Sequence, residues 1–469
     1  MEIEKPIAKW HFDKIEGFKF FIMKTILSIL AWIVTMPALL AQNPLIMDQF
    51  TADPSARVFN DRVYVFSSHD IPAPEGKGLR EDWFCMEDYH VFSSENLTQW
   101  IDHGVIVSQY DAEWVDSTSY SMWAPDCIER NGKYYFYYPA IRKNVGPNGR
   151  KGFGIGVAIA GNPEGPYVVE DEPIEGIFGI DPNILIDNDG QAYIYWSMGD
   201  IFVAKLKDNM LELASEPHKI ENLPSEGLKE GPWVFERNGT YYLTFPHVEN
   251  KTERLEYAVG DNPMGPFEMK GVIMDESPTG CWTNHHSIIE YKEQWYLFYH
   301  HNDLSPHFDK NRSIRADSLF FNTDGTIRKV TPTLRGVGIT SADKRIQIDR
   351  YSDISGDGVK MAFIDTLDTH KGWKVTISQK GEWVRYNKVD FRDKTYNVAR
   401  AKVMSTAGGR FEIRLDAPDG DVLATVDMKN TNDWAVENTR LKNSPTGVHD
   451  LFVVSDGNAT FSVDWIKFE

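Results

Sequence analysis

The stretch NGKYYFYYP (residues 131–139) joins a tight-turn signal to a short run of aromatic residues. An Asn-Gly pair before such a run is typical of a β-hairpin, because the turn needs positive φ angles and strands favour aromatic and β-branched side chains. Four further stretches repeat the pattern: NDRVYVFSS (60–68), DGQAYIYWS (189–197), NGTYYLTFP (238–246) and KEQWYLFYH (292–300). Their central tyrosines recur every 49 to 71 residues.

Five β-rich units of this length predict a five-bladed β-propeller, in which each unit forms one small antiparallel sheet around a shared axis. Beyond about residue 340 the chain continues as short alternating strands, which predict a β-sandwich of the jelly-roll type. The fold class is therefore all-β. We expect an N-terminal extension with a signal peptide over residues 1–41, the propeller over 42–340 and the sandwich over 341–469.

The N-terminal segment contains the apolar run ILSILAWIVTMPALLA (26–41), preceded by Met23-Lys24. A positive residue, an apolar stretch and small residues at its end are typical of a signal peptide, and the run is shorter than the roughly 20 residues of a membrane-spanning helix. Met23 is the expected start of translation, and a signal anchor is the alternative. A signal peptide predicts a secreted or periplasmic protein.

The composition excludes some classes of partner. The net charge is −20 and the pI about 5.1, without a block of Lys or Arg, which argues against binding of nucleic acid or an anionic membrane surface. The three cysteines, Cys85, Cys127 and Cys281, form neither a metal-binding pattern nor a disulfide framework. They are either buried free thiols or include one disulfide.

Three acidic residues stand in similar settings, each directly before Pro or Gly-Pro: Asp53 in TADPS, Asp181 in GIDPN and Glu230 in EGPWV. They belong to the first, third and fourth units, so a propeller would turn all three toward one central funnel. Carboxylates converging in an aromatic-lined funnel suit glycoside hydrolysis, which needs a protonated acid and an ionised base. Taken one at a time, such residues are more often turn or cap residues.

Residues 44–335 resemble glycoside hydrolase family 43, whose members are five-bladed propellers acting on arabinose- and xylose-containing polysaccharides. The resemblance rests, in the order of the family, on the following stretches: TADPS with YVFSSHD, MWAPD (122–126), GIDPNILIDNDGQAYIYW (179–196), EGPWVFERNGTYYLTF (230–245) and NHHSIIEYKEQWYLFYHH (284–301).

The resemblance implies a role for each of the three acidic residues. Asp53 matches the general base that activates water, Glu230 the general acid, and Asp181 the third carboxylate, which orients the acid and modulates its pKa. The family acts with inversion in a single displacement, which predicts roughly 6.5 to 9.5 Å between the base and acid carboxyls.

Two further residues are expected to contact the sugar. Trp123 either stacks on a sugar face or packs between blades. Arg312 matches a family arginine that reaches the sugar hydroxyls, although Arg315 lies close enough in sequence to be the matching residue instead. Either arginine could also be a solvated surface charge.

His285 and His286 are adjacent, so in a strand they point to opposite faces. The resemblance favours His286 as the residue that helps to hold a Ca²⁺ or other ion in the central channel, largely through waters. The alternative is an ordinary core histidine without an ion, since Ca²⁺ prefers oxygen ligands. No organic cofactor is expected.

Residues 343–469 resemble carbohydrate-binding module family 6, on pieces that include IQIDRYSD, GEWVRYNKVDF and FSVDWIKF. Ser462 stands where the family's cleft has an Asn, and a hydroxyl offers fewer hydrogen bonds than an amide. Trp434 and Tyr386 are candidate ligand aromatics or core residues. The module either binds polysaccharide or braces the propeller.

Together these features predict an inverting glycosidase that releases α-L-arabinofuranose from arabinoxylan or arabinan. Within the class, the alternatives are a β-xylosidase and an endo-acting xylanase or arabinanase. A non-catalytic carbohydrate-binding propeller is the alternative from another class, and it would not need three acidic residues in one funnel.

Overall fold

The computed structural model describes residues 43–145, 151–367 and 371–469. Within these ranges the regular structure consists of β-strands, and no α-helix occurs. None of the described residues forms a helix long and apolar enough to span a membrane. The predicted signal peptide and the expected start at Met23 lie outside the described residues.

Five small antiparallel sheets follow one another along the chain, each made of strands that are consecutive in sequence. The first contains β1 (Ala52–Phe59), β2 (Arg62–Asp70), β3 (Met86–Ser94) and β4 (Ile101–Ser108). The second contains β5 (Asp126–Arg130), β6 (Lys133–Ile141), β7 (Phe153–Ala160) and β8 (Val168–Val169). The third contains β9 (Ile180–Ile186), β10 (Ala192–Ser197), β11 (Ile201–Lys205) and β12 (His218–Lys219). The fourth contains β13 (Trp233–Arg237), β14 (Thr240–Val248), β15 (Glu253–Gly260) and β16 (Glu268–Met274), and the fifth contains β17 (His286–Tyr291), β18 (Gln294–His301) and β19 (Ser313–Leu319).

The repeated aromatic stretch forms the second strand of every one of these sheets. In the second sheet the turn residues Asn131 and Gly132 have φ angles of 55° and 74°, as a tight hairpin requires. Successive side chains of the strand that follows point to opposite faces. Phe136 packs with residues of the first sheet, whereas Tyr137 packs with residues of the third. Each aromatic strand thus has two buried faces.

The first strands of the five sheets are joined to one another by hydrogen bonds of 2.7 to 3.1 Å, and these bonds close a ring. The five links are Ser55 Oγ to Asp126 Oδ1, Asn183 Nδ2 to Asp126 Oδ2, Val234 N to Asn183 Oδ1, Trp233 Nε1 to Ile288 O, and Ala56 N to Ser287 Oγ. The fifth sheet is therefore a neighbour of the first as well as of the fourth.

The segment of residues 43–51 strengthens this closure. Leu45 N donates to Ile314 O at 2.8 Å, and Thr51 N donates to Arg312 O at 3.0 Å. The side chain of Asn43 donates to the carbonyl of Ala316 at 3.1 Å. The segment therefore runs along β19 at the outer edge of the fifth sheet, and it leads directly into β1 of the first.

Two six-stranded sheets make up the C-terminal region, residues 340–468. The first contains β20 (Thr340–Ser341), β22 (Asp353–Ile354), β25 (Trp383–Asp390), β27 (Gly409–Leu415), β28 (Val422–Met428) and β30 (Val448–Ser455). The second contains β21 (Ile346–Gln347), β23 (Val359–Phe363), β24 (Trp373–Ile377), β26 (Val398–Ser405), β29 (Thr431–Arg440) and β31 (Phe461–Phe468). One cluster of buried side chains draws on both sheets.

Tyr386 belongs to this buried cluster, with none of its surface exposed, and its hydroxyl donates to the carbonyl of Ile348. Its role as a ligand aromatic is therefore wrong, because its ring fills the core. The cysteines Cys85, Cys127 and Cys281 are buried and free, which confirms the free-thiol alternative.

Candidate active site

One cavity of about 170 Å³ collects most of the residues that the sequence singled out. Its lining includes Asp53, Asp181, Glu230, Trp123 and Arg312. Side chains that are spread over residues 53–312 of the sequence thus line one cavity. The volume is below the roughly 300 to 1,000 Å³ typical of pockets for drug-sized ligands. It is on the scale of one sugar ring rather than of a polysaccharide chain.

The repeated Asp-Pro and Gly-Pro sequences share an unusual backbone conformation. Asp53, Asp181 and Gly231 each stand directly before a proline, with φ angles of 50°, 57° and 53°. Regular pairing of the first strand with the second is interrupted around Asp53 and again beside Asp181. Such irregularities re-aim a side chain, and here they accompany the two aspartates at the ends of β1 and β9.

Asp53 is buried and is paired with Arg312. The guanidinium Nη1 donates to Asp53 Oδ1 at 2.7 Å. The backbone N–H of Asp53 points to Nδ1 of His300 at 3.1 Å. Burial opposes the charge of Arg312, but the carboxylates of Asp53 and Asp70 outweigh it and raise the pKa of the guanidinium. The base candidate therefore faces a permanent positive charge.

Asp70 fixes the other side of Arg312, and the sequence analysis did not identify it. Asp70 Oδ2 accepts hydrogen bonds from the backbone N and from Nε of Arg312, at 2.7 and 2.9 Å, and Oδ1 accepts from Nη2 at 2.8 Å. Burial raises the pKa of the Asp70 carboxyl although the guanidinium acts against the shift. Both arginines of the local sequence are buried, so neither is a surface charge. Arg315 instead donates to Asp303 at 2.9 Å and is not part of the cavity lining.

Asp181 is held by two donors on the same oxygen. Its Oδ2 accepts from Ser197 Oγ at 3.0 Å and from the backbone N of Gly231 at 2.9 Å. Burial raises the pKa of Asp181 to about 7, although the nearby charge of His285 acts against the shift. The bond to Gly231 ties the third carboxylate to the backbone directly after Glu230.

Glu230 interacts with a second glutamate, Glu253, which the sequence analysis also missed. Burial, together with the negative charge of Glu253, raises the pKa of Glu230 well above its usual range. Glu253 is almost completely buried, and burial raises its own pKa to about 7. Its Oε2 accepts a hydrogen bond from Asn284 N at 2.7 Å. Two buried carboxyls side by side cannot easily both ionise, which keeps a proton on Glu230 near neutral pH.

Aromatic side chains form the walls of the cavity. Besides Trp123, the lining includes Trp83, Phe84 and Trp282, which the sequence analysis did not identify. The rings of Trp83 and Trp282 lie 6.4 Å apart, and those of Phe84 and Trp123 lie 6.2 Å apart. Trp123 also packs on Phe153 at 4.7 Å, so it both lines the cavity and contributes to packing.

The histidine pair is divided between the cavity and the interior. His285 lines the cavity and was not predicted there. His286 is buried, and its Nε2 lies 2.6 Å from Thr244 Oγ1. Burial lowers the pKa of His286 well below its usual range, so the ring is neutral, and its Nδ1 has no hydrogen-bond partner among the residues that the structure describes. A buried, neutral, unpartnered nitrogen fits one ligand of an ion whose remaining ligands are waters.

In the C-terminal region, Ser462 is buried, and its Oγ lies 2.9 Å from Thr376 Oγ1. Trp434 lies partly exposed on β29, with the ammonium of Lys402 5.4 Å from its ring centroid. Ser462 is therefore engaged within its own sheet, whereas Trp434 remains accessible.

Comparisons with known proteins assign these features to families. Residues 41–327 match the model of glycosyl hydrolases family 43, and residues 355–469 match that of the carbohydrate binding module, family 6. Xylosidase/arabinosidase 43A of Humicola insolens is 36% identical over 61% of this chain and 98% of its own length. The arabinoxylan arabinofuranohydrolase of Bacillus subtilis (strain 168) is 27% identical over 91% of this chain and 92% of its own length.

Solved structures of family 43 glycosidases are also similar to this chain. A β-xylosidase/α-arabinofuranosidase from a compost microbial metagenome, in complex with xylotriose and in a calcium-free form, matches with a TM-score of 0.55 and 34% identity. It covers 62% of this chain and 97% of its own. An arabinoxylan arabinofuranohydrolase from Bacillus subtilis, in complex with cellotetraose, has a TM-score of 0.53 and 26% identity, and it covers 91% of this chain and 97% of its own. The chain belongs to glycosyl hydrolases family 43, carries a family 6 carbohydrate-binding module at its C-terminus, and is a glycosidase.

Proposed function

We propose that this protein is an inverting, exo-acting glycosidase of plant cell-wall hemicellulose that releases α-L-arabinofuranose from arabinoxylan or arabinan. The observation that carries the proposal is the meeting of Asp53, Asp181 and Glu230 in one cavity on the scale of a single sugar. A pocket of that size admits one terminal or branching residue. An endo-acting enzyme would need an open groove for several sugars.

Glu230 acts as the general acid, and its raised pKa supports this role, because an acid must still hold its proton near neutral pH. It transfers that proton to the glycosidic oxygen of the leaving group. Asp181 orients the acid through its bond to the backbone N of Gly231, which directly follows Glu230, and the negative charge of Glu230 contributes to the raised pKa of Asp181.

Asp53 acts as the general base. Its carboxylate takes a proton from a water molecule, which attacks the anomeric carbon on the face opposite the leaving group. The glycosidic bond breaks as the new bond to water forms, so the configuration is inverted. The mechanism requires roughly 6.5 to 9.5 Å between the two carboxyls. Arg312, which is fixed by Asp70, supports Asp53 and lines the cavity, where it would contact the sugar hydroxyls.

A β-xylosidase is the second candidate. Relatives that match the catalytic region include the β-xylosidase of Xylanibacter ruminicola, 35% identical over 60% of this chain. A relative that extends across both regions, from Bacillus subtilis, is named an arabinoxylan arabinofuranohydrolase. Arabinofuranose and xylose are both pentoses, so the same aromatic walls could accept either ring.

We propose that the five N-terminal sheets are the blades of a five-bladed propeller and that the C-terminal sheets form a sandwich. The closed ring of hydrogen bonds between the first strands supports the former, and the shared buried cluster supports the latter. The proposed propeller domain comprises residues 42–340, and the proposed sandwich domain comprises residues 341–469. An ion such as Ca²⁺ would be held at the buried His286 Nδ1, where it would supply a fixed positive charge.

The C-terminal module is proposed to hold the enzyme on its polysaccharide through accessible aromatics such as the partly exposed Trp434, rather than through Ser462. We further propose that the protein is secreted or periplasmic, which the apolar run at residues 26–41 supports. Cell fractionation followed by N-terminal sequencing tests this, and an unprocessed cytosolic chain would contradict it.

The activity is tested by separating the sugars released from wheat arabinoxylan and from arabinan. We compare the wild type with Glu230→Gln and with Glu290→Gln, a control at an exposed glutamate of β17. Free arabinose from the wild type and the control alone supports the proposal. Xylose as the main product supports the second candidate. Release of oligosaccharides, or equal activity of Glu230→Gln, would overturn the exo-acting mechanism with Glu230 as acid.

A further inference from the structure

A cluster of metal-ligating side chains lies on the first sheet, among residues that the proposed mechanism does not use. It consists of His69 on β2 and of Asp88 and His90 on β3. One ligand atom from each residue lies within 4.8 Å of the others. His69 Nδ1 is 2.9 Å from Asp88 Oδ1, and His90 Nε2 is 3.9 Å from the same oxygen.

The strands explain why the three side chains converge. Asp88 and His90 are two residues apart on β3, so they lie on the same face of the sheet. His69 lies where the pairing of β2 with β3 becomes irregular, between Ser68 and Asp70. Such an irregularity re-aims a side chain, and here it accompanies the contact of His69 with its neighbours on β3.

A second carboxylate orients one of the histidines. Nδ1 of His90 lies 3.1 Å from Asp102 Oδ1, so a proton on Nδ1 bonds to Asp102 and leaves Nε2 as a free lone pair. Asp102 is itself held by Gln49 Nε2 at 2.8 Å and by Gly104 N at 2.7 Å. A histidine that binds a metal ion through one ring nitrogen usually donates a hydrogen bond from the other nitrogen to a carboxylate. His90 and Asp102 have this arrangement.

The surroundings favour a cation. The carboxylates of Asp88 and Asp102 lie within hydrogen-bond distance of the two imidazoles and bring negative charge to the cluster. The side chains of His69, Asp88 and His90 remain 24%, 13% and 13% exposed, so an ion can enter from solvent and keep water ligands.

We propose that His69, Asp88 and His90 bind one divalent transition-metal ion of the zinc class, with Asp102 as the residue that orients His90. Two imidazoles and one carboxylate suit Zn²⁺, Cu²⁺ or Ni²⁺ rather than Ca²⁺, which prefers oxygen ligands. The site lies apart from His286. Since His69 directly precedes Asp70, the ion would also fix the end of the strand that holds Arg312.

The test is Zn²⁺ binding by the mature chain, measured by isothermal titration calorimetry and by metal analysis after gel filtration. Millimolar Ca²⁺ in the buffer occupies any oxygen-rich site. We expect one Zn²⁺ per wild-type chain with a submicromolar dissociation constant, and no such binding by His69→Gln or His90→Gln. Asp102→Asn should bind about 10- to 100-fold more weakly, as is typical when an orienting partner is lost.

The matched control is His449→Gln. His449 Nδ1 also lies 2.9 Å from a carboxylate, that of Asp416, but on the C-terminal module. This variant should bind Zn²⁺ like the wild type. Circular dichroism confirms that each variant is folded, and the visible spectrum of bound Co²⁺ reports the ligand set independently. Absence of binding below about 100 μM, or binding that survives both histidine substitutions, would overturn the proposal and leave an ordinary His–Asp ion pair.

Discussion

Arg312 Nη1 lies 2.7 Å from Asp53 Oδ1, although 259 residues separate the two in the chain. The arginine directly precedes β19 of the fifth sheet, and the aspartate lies in β1 of the first. Asp70 binds the remaining edge of the guanidinium with both of its oxygens. Arg312 therefore positions the carboxylate of Asp53, and Asp70 in turn holds Arg312 in place.

Arg312→Lys should lower kcat/KM by about 100-fold, because an ammonium cannot reach both carboxylates and a displacement of about 1 Å at a reacting group has that effect. Arg315→Lys is the control, since Arg315 is also buried but donates to Asp303 outside the cavity. We expect the control to lose stability without a comparable loss of kcat/KM. Equal kinetic losses in both variants would indicate a structural role for Arg312.

Glu253→Gln should move the alkaline limb of the pH–rate profile to lower pH. The negative charge of Glu253 helps to raise the pKa of Glu230, so its removal lets Glu230 lose its proton at lower pH. The profile of kcat/KM for an aryl arabinoside measures the shift. Glu256→Gln is a comparison on the same strand, at a carboxylate that binds Arg254 instead, and its limb should stay in place. An unmoved limb in Glu253→Gln would contradict the coupling.

Asp181→Asn should stabilise the protein at alkaline pH while lowering activity. Burial raises the pKa of Asp181 from 3.8 to about 7, so the folded state binds its proton more tightly than the unfolded chain does. The contribution to stability is full below pH 3.8 and declines as the pH rises through about 7. An amide keeps the bonds from Ser197 and Gly231 without the charge.

Urea unfolding at pH 5 and pH 8 measures this difference. The gain of Asp181→Asn over the wild type should be larger at pH 8 than at pH 5, by at most about 3 kcal/mol, because only the titration between pH 5 and the pKa of about 7 contributes, at 1.36 kcal/mol for each pH unit. Asp189→Asn, in the exposed turn between β9 and β10, should show no such dependence on pH. A gain that is the same at both pH values would rule out the buried charge as its cause.

Gly231→Ala should reduce kcat by displacing His285 and Asp181. A Cβ at Gly231 would lie 2.8 Å from His285 Nδ1 and 3.1 Å from Pro246 Cδ, and φ is +53°. Gly239→Ala has a comparable φ of +81° but meets nothing within 4 Å, so it carries the backbone strain alone. Kinetics and thermal melting of both variants separate the two effects. Loss of stability without loss of kcat in Gly231→Ala would contradict the prediction.

The sequence predicted the five hairpins and the shared location of Asp53, Asp181 and Glu230, because turn signals and Asp-Pro pairs are local patterns. It did not predict Glu253 or Asp70. Glu253 lies among charged residues at the start of β15, and alternation alone does not tell which glutamate is buried. Asp70 ends a strand, and its role depends on an arginine from the other end of the region.

The histidine pair and Tyr386 illustrate a second limit. His285 lies just before β17, so the alternation of a strand does not fix its direction, and the cavity receives it rather than His286. Tyr386 stands on an alternating strand, where an aromatic ring suits a cleft and a core equally well. Only the packing of the two C-terminal sheets determines that it is buried.

The segment of residues 43–51 pairs with β19, which lies nearly the full length of the catalytic region away. During translation Asp53 is synthesised early and Arg312 about 260 residues later. The nascent chain therefore lacks a complete catalytic pocket for most of the elongation time. Long-range closure of this kind slows folding. We therefore expect hydrolytic competence to arise in a single late event, when β19 docks against residues 43–51.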